Sequence, residues 1–175
     1  MLRWLTVLLV VLMAACQSPA SSSSPTPPPA VGAGRVEILN AADAALGRGD
    51  LTAASGLYER VLNTPPGGEG APATVAINQY AHFRDLVTLL ADGREDDAKA
   101  QVDALQQADA SAPFARLANQ LWDQYGMVGS VRGACAQVQP QIAAQAAPTL
   151  GTLQGLGVNP DPGSLCSVPA AAAGG

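Results

Sequence analysis
The chain has 175 residues, nearly half of them hydrophobic, few aromatic, and a formal net charge of −5. With one lysine, Lys99, and no basic cluster, it lacks the positive charge that nucleic-acid phosphates require, and a polybasic membrane patch is absent as well. Abundant alanine and the lack of β-branched runs favour helices over strands.

The first element is MLRWLTVLLVVLMAAC. Arg3 provides a positive start, Leu5 to Leu12 a short apolar run, and Met13, Ala14 and Ala15 a narrowing to small side chains before Cys16. That order is the layout of a secretory signal peptide. The apolar run is well short of the roughly 20 residues a spanning helix needs. Residues 17–34, QSPASSSSPTPPPAVGAG, have no composition from which to build a core and read as an extended tether. Removing Arg3 with the leader leaves eight basic residues against fourteen acidic ones, a mature charge of −6. About 140 residues remain after leader and tether, the size of one domain.

The ending Leu12-Met13-Ala14-Ala15-Cys16 resembles the bacterial lipobox, with Met13 where leucine is usual. The resemblance implies cleavage before Cys16, a thioether-linked diacylglycerol on it and an acylated new amino terminus. Two or three acyl chains suffice for stable anchoring, where one is marginal. Under the Gram-negative sorting rule that accompanies this resemblance, Gln17 lacks the aspartate that retains a lipoprotein at the inner membrane. The expected address is therefore the periplasmic side of the outer membrane in a diderm cell, or the outer face of the cell membrane otherwise. The competing reading is an ordinary signal peptide followed by a chance cysteine.

From residue 35 the apolar residues repeat at helical spacing. Ile38, Leu39, Ala42, Ala45 and Leu46 form one stripe, ended by Gly47 and Gly49. Ala54, Leu57, Tyr58, Val61 and Leu62 form the next, with Asp50 as N-cap and Pro65-Pro66 as stop. A Gly-Asp turn between two short striped helices predicts an αα-hairpin. Residues 72–92 predict a long helix carrying Ala76, Tyr80, Phe83, Val87 and Leu90, ended by Gly93. The next helix bears Ala98, Val102 and Leu105, with Glu95, Asp96 and Asp97 in its first turn, where the helix dipole favours acids. Pro113 opens a helix with Phe114, Leu117, Ala118, Leu121, Trp122 and Tyr125 on one face, ended by Gly126. Val131, Ala134, Cys135 and Val138 lie on a following helix that Pro140 is expected to kink or break, and Pro148 is expected to open a last short helix.

These hairpins resemble the tetratricopeptide repeat. Gly49, Asp50, Leu51, Ala54, Tyr58, Val61 and Pro66 match that family's turn and second helix in register; Gly93, Ala98 and Leu105 match more loosely. The first-helix tryptophan and Leu-Gly pair are missing, and Gly49, Gly93 and Gly126 are spaced 44 and 33 residues apart against a repeat of about 34. A generic helical-hairpin array predicts the same architecture. The expected fold is all-α: a short array of antiparallel helical hairpins over residues 35–168, with a disulfide-pinned irregular C-terminal segment and a disordered tail at 169–175. The resemblance implies a concave groove lined by the first helix of each pair. In register, its lining residues are Asp43, then Tyr80, Phe83 and Val87, then Arg116, Gln120 and Asp123. Tyr80, Phe83 and Val87 at that spacing equally fit buried core.

Cys135 and Cys166 are an even pair in an exported chain, which predicts a structural disulfide; free thiols or a redox pair are the alternatives, and no C-x-x-C spacing favours redox chemistry. Arg48-Gly49-Asp50 falls in the hairpin turn, where Gly and Asp have structural roles. Asn159-Pro160-Asp161-Pro162-Gly163 reads as a proline-bounded turn, since a calcium loop needs further oxygen ligands and a closing glutamate. His82 is the single histidine, too few for a metal site, and no G-x-S-x-G elbow accompanies it. The acids at 95–97 sit side by side on a solvated turn and do not face each other across a cleft. The expectation is thus a non-catalytic envelope protein without cofactor or metal, binding a protein or peptide segment. A spacer or pilotin-like escort lipoprotein is the alternative, followed by an enzyme or small-ligand carrier with a site hidden from the sequence.

Overall fold
A computed structural model describes residues 34–169. The expected signal peptide, Cys16, the expected tether up to residue 33 and residues 170–175 lie outside the described residues.

Among the described residues there are six helices and no strand: α1 Arg35–Gly47, α2 Leu51–Asn63, α3 Ala71–Ala91, α4 Glu95–Asp109, α5 Pro113–Val128 and α6 Val131–Gly155. Residues 156–169 follow as an irregular strap. The fold is all-α, as the apolar periodicity requires. Local signals set the boundaries. Asp50 accepts a hydrogen bond from the Ala53 amide at 3.1 Å and caps α2, while Gly49, at φ 80°, makes the tight turn before it. Pro72 and Pro113 sit in the first turns of α3 and α5, where a missing N–H costs nothing.

Two boundaries differ from expectation. Gly126 does not end α5; the helix continues to Val128 and closes at Gly129, whose left-handed φ of 67° lets its amide reach the Tyr125 carbonyl at 2.8 Å. Neither Pro140 nor Pro148 breaks α6, so the expected break and the separate last helix are both corrected. The reason is orientation. Ala136, Pro140, Ala144 and Pro148 lie along one i, i+4 row, and all four are exposed. The carbonyls each proline leaves unpaired therefore sit on the side of α6 that water can reach.

The helices form three layers. α1, α3 and α5 make the middle one. α2 packs on α1 and α3, and α4 on α3 and α5, in the tetratricopeptide-like hairpin arrangement. α6 departs from it. It packs on α5 and α3 and touches neither α2 nor α4, so it crosses the opposite face of the middle layer. α3 is consequently enclosed on both sides and is buried almost continuously from Tyr80 to Leu90. The turns α1/α2, α3/α4 and α5/α6 meet at one end, where Leu51, Gly93, Tyr125 and Gly129 line a common cleft. The chain joins the domain at the other end, where buried Arg35 donates to the Val61 carbonyl at 3.1 Å, to Glu69 at 2.9 Å and to Asn78. Hydrogen bonds to its own and the Gly67 backbone, together with Arg35, hold Glu69 below the usual carboxylate range.

The bridge between Cys135 of α6 and Cys166 of the strap is formed, with Cα atoms 5.3 Å apart. It pins the irregular segment, as the even pair of cysteines predicted.

Candidate functional site
The middle layer carries a cluster of polar side chains in otherwise apolar surroundings. Asp43 lies on α1, Tyr58 on α2, and Tyr80 and Arg84 one turn apart on α3. Asp43 Oδ1 accepts from the Tyr58 hydroxyl at 2.6 Å and from Arg84 Nε at 3.1 Å; Oδ2 accepts from the Tyr80 hydroxyl at 2.8 Å. Arg84 Nη1 donates to the strap carbonyls of Ser164 at 3.1 Å and Leu165 at 2.6 Å. The Arg84 side chain is 7% exposed and that of Asp43 23%. One carboxylate thus joins three helices, and one guanidinium joins them to the strap.

Burial pushes the Tyr58 and Tyr80 hydroxyls well above the usual phenol range, and the Asp43 charge pushes the same way. Both remain neutral donors at physiological pH. Burial works against the Arg84 charge, but Tyr58, Tyr80 and Asp43 outweigh it, so its pKa is raised. The cluster is an ion pair flanked by two neutral hydroxyl donors. Asp43, Tyr80 and Arg84 line a cleft of about 370 Å³ closed on its far side by Asn159, Pro160, Asp161, Ser164 and Ser167 of the strap.

The groove expected from the repeat resemblance is not assembled. Tyr80, Phe83 and Val87 are 1%, 0% and 0% exposed. Phe83 and Tyr80 instead pack on Phe114 of α5, with ring centroids 5.2 and 6.1 Å apart. The α6 helix and the strap lie on that face of the middle layer, so its apolar stripe is core. Asp43 faces the cluster and is only partly exposed. Arg116 and Asp123 are exposed and Gln120 is half-buried on α5; Arg116 is bonded to the Ser111 carbonyl, and no described hydrogen bond or ion pair links these three to Asp43. The seven residues therefore form no single surface.

Sequence reading missed Arg84 and the polar role of Tyr58. A signal existed: Arg84-Asp85 interrupts an apolar run that continues on both sides, and Arg84 follows Tyr80 by one helical turn. Asp85 is a second buried charge site. It is 0% exposed, neither carboxyl oxygen has a hydrogen bond within normal geometry, and Ser55 Oγ on α2 is likewise without one. Burial raises the Asp85 carboxyl to about 7, with Ser55 opposing, Glu59 adding and Arg94 offsetting. His82 is half-buried, with Nδ1 2.6 Å from Gln101 Oε1, and burial lowers its pKa. The 95–97 acids are exposed, as expected. Among the described residues, no group of three or more His, Cys, Asp or Glu could hold a metal ion, and no helix is long and apolar enough to cross a membrane.

Comparison with protein-family models, with curated proteins and with solved structures finds no match for this chain.

Proposed function
We propose that this protein is a lipid-anchored, non-catalytic interaction module of the bacterial cell envelope. The observation that carries the reading is the run Leu12-Met13-Ala14-Ala15-Cys16 followed at once by the Ser/Pro tether at 17–34. An exported, tethered domain of paired helices is suited to presenting surface to another envelope protein. Two features of the domain support this. The chain joins it at the Arg35 end, leaving the hairpin-turn end distal to the anchor. That distal end carries exposed apolar side chains, Met127 at 68% and Val128 at 47%. The test begins with the amino terminus of the mature protein. Mass spectrometry should find a diacylglyceryl, acylated Cys16, and Cys16→Ser should move the protein from the membrane to the soluble fraction. Crosslinking in intact cells should then recover a protein partner whose yield drops with Met127→Asp or Val128→Asp. An unmodified terminus, or unchanged crosslinks in both variants, would refute the reading.

A spacer or escort lipoprotein is the second reading. It is favoured by the filled face of the middle layer, which leaves no open peptide groove there. On that reading Cys16→Ser abolishes function while the Met127 and Val128 variants do not.

A further inference from the structure
The strap at 156–169 lies over the Asp43–Tyr80–Arg84 cluster through few attachments. Arg84 holds two of its carbonyls, Asn40 holds the Gly157 carbonyl at 3.2 Å, and Gln139 bonds to the Pro162 carbonyl. Val158 and Leu165 are its buried aliphatic anchors. The remaining attachment is covalent, the bridge from Cys166 to Cys135.

The bridge sits at the margin of the core, where both cysteines are buried. Cys135 and Cys166 form part of the wall of an open surface depression of about 440 Å³, together with Arg132, Gln139 and Gly163. Their residue exposures are low, 6% and 2%, and the depression is the side from which a reductant would approach them. Arg132 lines the same depression, three residues before Cys135 on α6, and a nearby cation favours thiolate over thiol.

We propose that the Cys135–Cys166 bridge is a dithiol-exchangeable latch that keeps the strap closed over the Asp43–Tyr80–Arg84 cluster. The co-reactant is a protein dithiol. Its thiolate attacks one of the two sulfurs, the S–S bond breaks, and the other cysteine leaves as a thiolate beside Arg132. The second thiol of the reductant then displaces the mixed disulfide. Two electrons and two protons pass to this chain, and the reductant leaves as its own disulfide. With the latch open, the strap is held by its hydrogen bonds and by the apolar contacts of Leu156, Val158, Pro160, Leu165 and Val168. Residues 135–155 of that loop stay in α6, so only about 10 residues are released, and their loop entropy corresponds to an increase of roughly 100-fold in the strap's opening equilibrium. Opening frees Arg84 Nη1 and Asn40 Nδ2, two donors now bonded to main-chain carbonyls of the strap, and widens the cleft beside Asp43 and Tyr80. The inference depends on the described domain alone and stands whether or not Cys16 is acylated.

The test is hydrogen exchange on the purified full chain, oxidised and then reduced by dithiothreitol without denaturant. Exchange in residues 156–169 should rise by about two orders of magnitude, with α1 to α4 as protected as before. The Cys135→Ser/Cys166→Ser variant should reproduce the reduced pattern. Arg132→Gln should slow native-state reduction severalfold while leaving the denaturation midpoint unchanged, a change a purely structural bridge would not show. Three results would overturn the proposal: reduction only in denaturant, a strap equally protected after reduction, or loss of protection throughout the domain at once.

Discussion

Replacing Asp85 by asparagine should flatten the dependence of stability on pH. Asp85 faces Ser55 and Glu59 of α2 and, around the start of α4, Arg94 and Asp97. Its carboxyl is fully buried and unpaired, and its pKa rises from the ordinary 3.8 to about 7. The folded state therefore binds this proton more tightly than the unfolded chain does. Between the two values the folded protein holds more protons, so stability falls as pH rises and levels off above the folded value. A tenfold change in proton affinity is about 1.4 kcal/mol, so the full swing is about 4 kcal/mol, of which about 2.5 kcal/mol falls between pH 5 and 8. Glu69 and Asp109, whose pKa values are lowered, lose their stabilising contributions only at more acidic pH. His82, lowered by burial, has the opposite sign, costing stability as pH falls through its unfolded value. The comparison with Asp85→Asn cancels all three. Urea unfolding at pH 5, 6, 7 and 8 should show the wild-type stability dropping relative to the variant by about 2.5 kcal/mol across the series, at constant m-value. Parallel curves for the two proteins would refute the reasoning.

Arg84→Met should destabilise the domain by about 3 kcal/mol in urea unfolding, because Asp43 and two strap carbonyls lose their donor; the partial exposure of Asp43 sets the value at the low end for a broken buried pair. Phe83→Ala should cost about 3–5 kcal/mol, the range for emptying an aromatic core site, whereas Arg116→Ala should stay within about 0.5 kcal/mol. Equal effects would mean that the division between core and surface is wrong. Pro140→Ala should raise the thermal midpoint by an amount corresponding to about 1 kcal/mol or more, since the helix already passes through this position and alanine restores a hydrogen bond. Gly129→Ala should lower the midpoint, costing about 1 kcal/mol for a left-handed conformation that glycine adopts freely.

Elements were legible wherever a local rule fixed them. The α1/α2 hairpin follows from two apolar stripes, a glycine that must turn and an aspartate that caps, all within a few residues of one another. The disulfide followed from counting cysteines. The last two helix boundaries were not legible in the same way. Whether proline ends a helix depends on which side its unpaired carbonyls face, and whether Gly126 or Gly129 stops α5 depends on where the chain must go next. Both are decided by α6 settling on α3 and α5.

The site shows the same divide. Periodicity identifies Tyr80, Phe83 and Val87 as one face of α3, but it cannot say what lies opposite, since an open groove and a buried core have the same apolar spacing. The partners of Asp43 are separated from it by 15 residues for Tyr58, 37 for Tyr80 and 41 for Arg84, and the strap carbonyl on Leu165 is 81 residues beyond Arg84. No local pattern encodes contacts at such separations. The sequence by itself determined helices, turns and the bridging cysteines, because backbone hydrogen bonds and steric limits act over a few residues. Only the tertiary structure decided which stripe is covered and which charges meet, because burial and ion pairing are set by the fold as a whole.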